Sequence, residues 1–190
     1  MTLFDEMPAY PGEMDEFPDL ARARTFDTCR SILALDLGTK LGWATVDRNG
    51  VVRSGSVSCS TSNGGFTGRA LRWNKFRAHL SELCSSVGDF DAVYFEHVQA
   101  HGSQKNPNVI VTAHVYGGFL AHLEHWCGGR NLQPTGVGVG EVKKAWAGKG
   151  NAKKPEMIAA ARAKGFRPAD DNEADALAIL SLAITRENAR

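Results

Sequence analysis

The sequence has no run of 18 or more apolar residues, which excludes a transmembrane helix. Its first residues, with Asp5, Glu6, Pro8 and Pro11, hold neither a basic stretch nor an apolar one, so no secretory signal is read there. Cysteine is scarce. Cys29, Cys59, Cys84 and Cys127 are scattered without a C-x-x-C pair and read as reduced thiols of a cytosolic protein. There is no internal repeat, and no G-x-S-x-G that would point to acyl transfer. What remains is a chain of 190 residues, 43% hydrophobic and 23% charged, enough apolar material for the core of one domain with an extension.

The net charge of +1 conceals an asymmetry. Residues 1–28 hold seven acids and two arginines, a charge of −5, whereas the other residues hold 20 basic and 14 acidic side chains, a charge of +6. The first 28 residues, rich in acids and with three prolines, are expected to be a flexible acidic arm, and residues 29–190 a basic domain. An acidic arm on a basic body suggests a nucleic-acid binder.

From Ser31 the pattern becomes regular. ILALD (32–36) is a short buried strand ending in a carboxylate, Trp43–Val46 a second, and Asn49-Gly50 a hairpin turn into a third that opens at Val51-Val52. Residues 60–68 read as a loop. Leu71, Trp73, Phe76, Leu80 and Leu83 follow at helical spacing. DAVYFE (91–96) is a fourth strand, again ending in an acid. A long helix is predicted over 108–126, and a fifth strand over Leu132–Val139, at an edge or delayed by Pro134. Helices near 141–146, from Lys154, and over 171–186 complete an α/β layer architecture.

Three acids lie inside apolar segments, where an unpaired charge is costly unless a partner or metal takes it. Asp36 and Glu96 end strands, and each alone has a plain reading as a solvated strand-end or turn acid. In PADDNEADALAIL (168–180), Asp171, Asn172 and Asp175 fall on one helical stripe that continues into Ile179 and Leu182. Asp170 and Glu173 fit an N-cap and its capping-box partner, with Glu173 on the far side of the helix. Asp175 has no such explanation beyond its place near the helix's positive end. Asp36, Glu96 and Asp175 together make an oxygen-ligand site for hard cations such as Mg²⁺. Two such ions about 4 Å apart clamp an in-line phosphodiester displacement.

DLGTKLGWA from Asp36, FE ending at Glu96, the basic segment VKKAWAGKGNAKK over 142–154 and NEADALA from Asn172, in this order and spacing, resemble the RuvC family of Holliday junction resolvases, in the RNase H-like superfamily. The resemblance covers about 31–186, and its details look closest to the phage-encoded branch. It implies an α/β, RNase H-like mixed five-stranded sheet in the order 3-2-1-4-5 with helices on both faces, and a homodimer. It implies Mg²⁺-dependent nicking of two opposed strands of a four-way junction, with Mn²⁺ as a substitute metal, in DNA recombination and repair. It places the protein in the cytoplasm with the nucleoid, or in the host cytoplasm for a phage-encoded enzyme, with no membrane and no nucleotide cofactor. Asp36, Glu96 and Asp175 would be metal ligands. The family's fourth ligand falls at Asn172, a neutral and weaker donor, and Asp171 is a candidate substitute one helical turn from Asp175. Lys143 and Lys154 fall at phosphate-binding lysines, one of which would offset charge on the scissile phosphate. The loop His97–His101 lacks the aromatic that cellular members carry.

Other basic residues have two readings. Lys144, Lys149 and Lys153 are either a solvated face or, around the Gly148–Asn151 loop, contacts to DNA phosphates. Asn151 is equally a candidate helix cap. Arg69, Arg72 and Lys75 would extend the electrostatic footprint. His122, His125 and Cys127 lack a fourth zinc ligand. Trp43 and Trp73 are expected in the core, and the apolar surplus of 108–126 offers a dimer interface or ordinary packing. Three rival readings stay open: a broader nuclease on forks and flaps, an actin-like or sugar-kinase ATPase suggested by the Asp36-Leu-Gly-Thr turn, and a non-catalytic junction-binding protein.

Overall fold

The computed structural model describes residues 26–60, 66–98 and 107–190, without the side chains of 66–69 and 107–109. Of the acidic arm expected over 1–28, residues 1–25 lie outside the described residues, as do 61–65 of the expected loop and residues 99–106, whereas the Phe26 amide is described and donates to the Gly50 carbonyl at 2.9 Å.

Three strands open the fold: β1 (Ile32–Asp36), β2 (Lys40–Val46) and β3 (Val52–Ser58). They form an antiparallel meander in which Asp36 pairs with Gly42 and Trp43 with Gly55. The turn into β3 closes as Asn49-Gly50 predicts. Gly50 takes φ +79, and the Asp47 side chain accepts from the Asn49 and Val51 amides at 2.9 and 3.0 Å. Then come α1 (Phe66–Val87), β4 (Ala92–His97), α2 (Pro107–Gly128), β5 (Thr135–Gly138), α3 (Val139–Ala147), α4 (Lys154–Ala163) and α5 (Asp171–Asn188). β4 and β5 add in parallel, so the order is β3-β2-β1-β4-β5, as the resemblance implies.

Strand parity sorts the core into two layers. Ile32, Ala34 and Tyr94 pack under α3, α4 and α5, with Trp146, Met157 and Ile179. Leu33, Leu35, Val93 and Phe95 pack under α1 and α2, with Phe76, Phe119 and Leu123. Helices thus cover both faces of the sheet. No described helix is long and apolar enough to cross a membrane.

Several expected boundaries shift. β2 begins three residues early, at Lys40, because pairing with β1 and β3 begins at the turn. β5 starts only at Thr135, since Pro134 has no N–H to give the ladder. Glu173 does not face solvent. The side of α5 away from Asp175 lies against β3, where Glu173 is 9% exposed and accepts from Ser54 Oγ and the Ala169 amide, both at 2.7 Å. Asp170 caps α5 as expected, accepting from the Glu173 amide at 2.9 Å. Burial works against its charge, but hydrogen bonds from Ser56, the Glu173 amide and Lys40 hold this carboxyl down at about 2.

Glu187 ties Arg30, just before β1, and Arg190 to Tyr94 of the sheet. Its side chain is fully buried, accepting from Arg30 at 2.5 Å, Arg190 at 2.8 Å and the Tyr94 hydroxyl at 2.6 Å. Burial and this carboxylate push the Tyr94 phenol up to about 12. Removing one partner of a buried ionic network costs about 3–5 kcal/mol, and the part-exposed arginines put this one at the low end. Glu187→Ala is therefore expected to lower the melting temperature by about 6–12 °C. An unchanged melt would mean that the clasp adds nothing.

Candidate functional site

The same parity that places Ile32 and Ala34 under α5 places Asp36 there, at the carboxyl end of β1. In β4 it places Glu96 on the face of Tyr94. β1 and β4 run parallel with Leu35 beside Phe95, so continuing the register sets Asp36 beside Glu96. α5 crosses this face and carries Asp175 in its second turn. Its first turn rests on β2, where the Asn172 carbonyl lies so close to Gly42 that a Cβ there would come within 2.0 Å of the oxygen.

The electrostatics show that the three acids share one site. Burial, then the charges of Glu96, Asp175 and Asp171, push the Asp36 carboxyl up to about 8, against a smaller pull from Lys154. Asp175 is pushed up to about 6, chiefly by burial, with Lys143 and Lys154 pulling it down and Asp171 raising it. Glu96 is raised by burial and Asp175 and lowered by Lys143. Asp175 Oδ1 is buried with no hydrogen-bond partner among the described residues. Desolvated carboxylates in excess of their counter-charges, one oxygen unpartnered, fit the donor chemistry of a hard divalent cation. Among the described residues no three His, Cys, Asp or Glu side chains stand in a finished metal cage. Drawing like charges to that geometry costs repulsion that a cation offsets.

The other predicted residues divide. Lys143 is half-buried, and its charge lowers both Glu96 and Asp175. Lys154 is exposed and ion-paired with Asp171, so Asp171 already has a cationic partner. Asn172 is half-buried, its backbone seated on β2. Lys149 pairs with Glu156, Lys153 is the N-cap residue of α4, and Lys144 is exposed. Arg69 belongs to α1 but lies outside the described side chains. Arg72 stacks over Trp73 at 5.7 Å and Lys75 donates to the Ser60 carbonyl at 3.1 Å. Both act on Cys59, whose amide bonds to Thr39 just beyond β1, so they lie at the Asp36 end of the sheet. Trp73 packs edge-on against Phe119 and stacks with His122, and Trp43 packs on the same core.

Sequence reasoning missed Tyr116. From α2 its buried hydroxyl donates to the Glu96 carbonyl at 2.9 Å and accepts from the Val98 amide at 3.3 Å. It fixes the strand end that presents Glu96. A tyrosine twenty residues away on a helix gives no local signal of this.

No protein-family model and no curated protein matches the sequence. Solved structures do match in fold. The chain is similar to Thermus thermophilus RuvC in complex with a Holliday junction substrate, with TM-score 0.65 and 23% identity over 84% of this chain and 96% of that one. Thermus thermophilus RuvC determined separately gives TM-score 0.59 at the same identity and coverage. The yeast mitochondrial Holliday junction resolvase Ydc2 gives TM-score 0.57 and 10% identity over 81% of this chain and 77% of that one. At these identities the likeness is one of fold.

Proposed function

We propose that this protein is a Mg²⁺-dependent, structure-selective endodeoxyribonuclease that resolves four-way DNA junctions by paired, symmetric nicks. The observation that carries this reading is the desolvated trio Asp36, Glu96 and Asp175, faced by Lys143 and edged by Lys154. Asp36, Glu96 and Asp175, with Asn172 or Asp171 as a further oxygen donor, would hold two divalent cations whose Lewis acidity activates water and stabilises the leaving 3′ oxygen. Mn²⁺, which takes the same oxygen donors, would substitute. Lys143 and Lys154 offset charge on the bound phosphodiester. Lys144, Lys149, Lys153, Arg72 and Lys75, with Arg69, extend a basic footprint for the arms of branched DNA.

Two opposed strands must be cut, so the reading includes a two-fold dimer. Most of the apolar surplus of α2 is core, with Tyr116, Phe119, Leu123 and Trp126 buried. Ile110, Val111 and Leu71 of α1 and α2 stay about half or more exposed and support this face as the dimer contact. The ATPase reading needs two such domains around a nucleotide, whereas the described residues form one five-stranded sheet.

The test incubates the protein with a labelled immobile junction, matched linear duplex, a fork and a flap, with Mg²⁺ or EDTA. Symmetric nicks confined to the junction, requiring Mg²⁺ and lost in Asp175→Asn, are expected. Equal cutting of fork and flap would broaden the substrate class. Junction binding without cutting would reduce the protein to a non-catalytic binder.

Tyr116→Phe bears on the same site. It leaves the Val98 amide and Glu96 carbonyl without the hydroxyl, a loss of about 1–3 kcal/mol in holding that strand end. The Mg²⁺ concentration for half-maximal nicking is expected to rise by about tenfold, with junction affinity in EDTA unchanged. An unmoved Mg²⁺ curve would remove Tyr116 from the site.

A further inference from the structure

Beside the carboxylates lies a groove of about 550 Å³ lined by Lys154, Pro155, Ile158, Ala159, Arg162 and Asp171. Five of these come from one face of α4, spanning about 140° of the helical wheel at 100° per residue. Lys154 and Arg162 stand at the two ends, about 12 Å apart along the axis. Pro155, Ile158 and Ala159 make an apolar floor between them. Arg162 has no carboxylate at ion-pair distance among the described residues, and Asp171 shares Lys154 at the end nearest Asp36.

This arrangement matches one kind of ligand. Two cations separated along a helix suit phosphates a few nucleotides apart on one strand. The apolar floor suits the face of a base, which an intact duplex keeps inside its stack. We propose that the α4 groove is a single-strand subsite. It takes the few unpaired nucleotides next to the phosphate held at Asp36, Glu96 and Asp175, with Arg162 on a flanking phosphate and Ile158 under a base. The inference rests on the proposed nuclease reading and adds to it a physical source of structure selectivity: a branch point frees such nucleotides, and a continuous duplex does not.

The probes are fluorescein-labelled hexathymidylate and a 12-base-pair hairpin duplex, each followed by anisotropy in EDTA over a salt series. Arg162→Ala and Ile158→Glu are each expected to weaken hexathymidylate binding by about tenfold and hairpin binding by less than about twofold. Ile158→Leu is expected to bind like the parent. Arg162→Ala should also reduce the logarithmic salt slope for the single strand by about 0.7, the value for one phosphate. Arg162 is exposed and Ile158 half-buried on α4, and melting curves check that the variants fold. Parent protein that ignores hexathymidylate, or variants that lose both probes equally or neither, would overturn the subsite. The two readings fail separately. If the parent cuts junctions and the variants bind hexathymidylate normally, the subsite falls and the nuclease stands. If the binding pattern holds and no junction is cut, the nuclease falls and the subsite stands.

Discussion

Asp36→Asn is expected to abolish Mg²⁺-dependent junction nicking, by at least about 10³-fold, while making the protein more stable in EDTA. Both effects have one cause. Asp36 sits in a desolvated site beside Glu96, Asp175 and Asp171, and its carboxyl is pushed up from 3.8 to about 8. In the unfolded chain the group titrates near the ordinary value, so between those two values the folded state binds the extra proton. The contribution of Asp36 to stability in EDTA is then greatest below about pH 4, falls as pH rises, and is gone above about 8. A tenfold change in proton affinity is worth about 1.4 kcal/mol, which sets the full effect at a few kcal/mol once solvent relaxation is allowed for. Asp175, raised to about 6, adds a smaller loss that is complete at a lower pH. Thermal melts of the parent in EDTA should therefore drop from about pH 5, above the range in which Asp170 and the other lowered carboxyls gain their stabilising charge, to pH 8, and Mg²⁺ should restore most of the loss at the upper end. Asp36→Asn should flatten the profile and lose the response to Mg²⁺. A parent and variant with the same slope would show that Asp36 is not under this strain, and the argument for a cation at that position would go with it.

Much of that site is legible in the sequence because it depends on short periods. ILALD fixes the side of Asp36 by alternation, and DAVYFE does the same for Glu96, so two acids at equivalent strand ends share a face once the strands pair in parallel. Asp175 stands out because a helix buried on nearly every side gives an acid nowhere neutral to go. The features that escape depend on contacts distant in sequence. A helical wheel places Glu173 away from the core because it has no knowledge of β3, whose Ser54 approaches from 119 residues away. Asp171 looks like a free oxygen donor until α4 brings Lys154 to it. The α2 surplus cannot be divided into core and exposed face from the wheel, which cannot count the residues that α1 and the sheet will cover. Tyr116 is invisible for the same reason: its role lies in two backbone bonds at the end of β4, not in any pattern of its own helix.

Gly42 enters the sequence reading only as part of DLGTKLGWA, yet it carries a large expected effect. A Cβ there would lie 2.0 Å from the Asn172 carbonyl oxygen and 2.5 Å from its carbon. Both are backbone atoms of the first turn of α5, so no side-chain rotation relieves the overlap. The helix end must lift from β2 or the strand must bend, and such overpacking costs about 1–3 kcal/mol or more. Gly42 is also the residue that pairs with Asp36 across β1 and β2. The displaced turn is the one before Asp175, so a shift of about 1 Å there separates Asp175 from Asp36 directly. Misplacement on that scale costs about 10²-fold in rate. Gly42→Ala is therefore expected to lower the melting temperature by about 2–12 °C and to slow nicking by about 10²-fold at temperatures where the protein is fully folded. Junction affinity in EDTA should stay near that of the parent, because the lysines over 142–154 stand on α3, α4 and the loop between them, and only Lys154 touches the displaced turn, through Asp171. That pairing of outcomes separates geometry from stability. A variant that melts lower but nicks at the parental rate would mean that the acids tolerate movement of α5. A variant that loses binding together with cutting would mean that the whole face, and not the position of Asp175, had been disturbed.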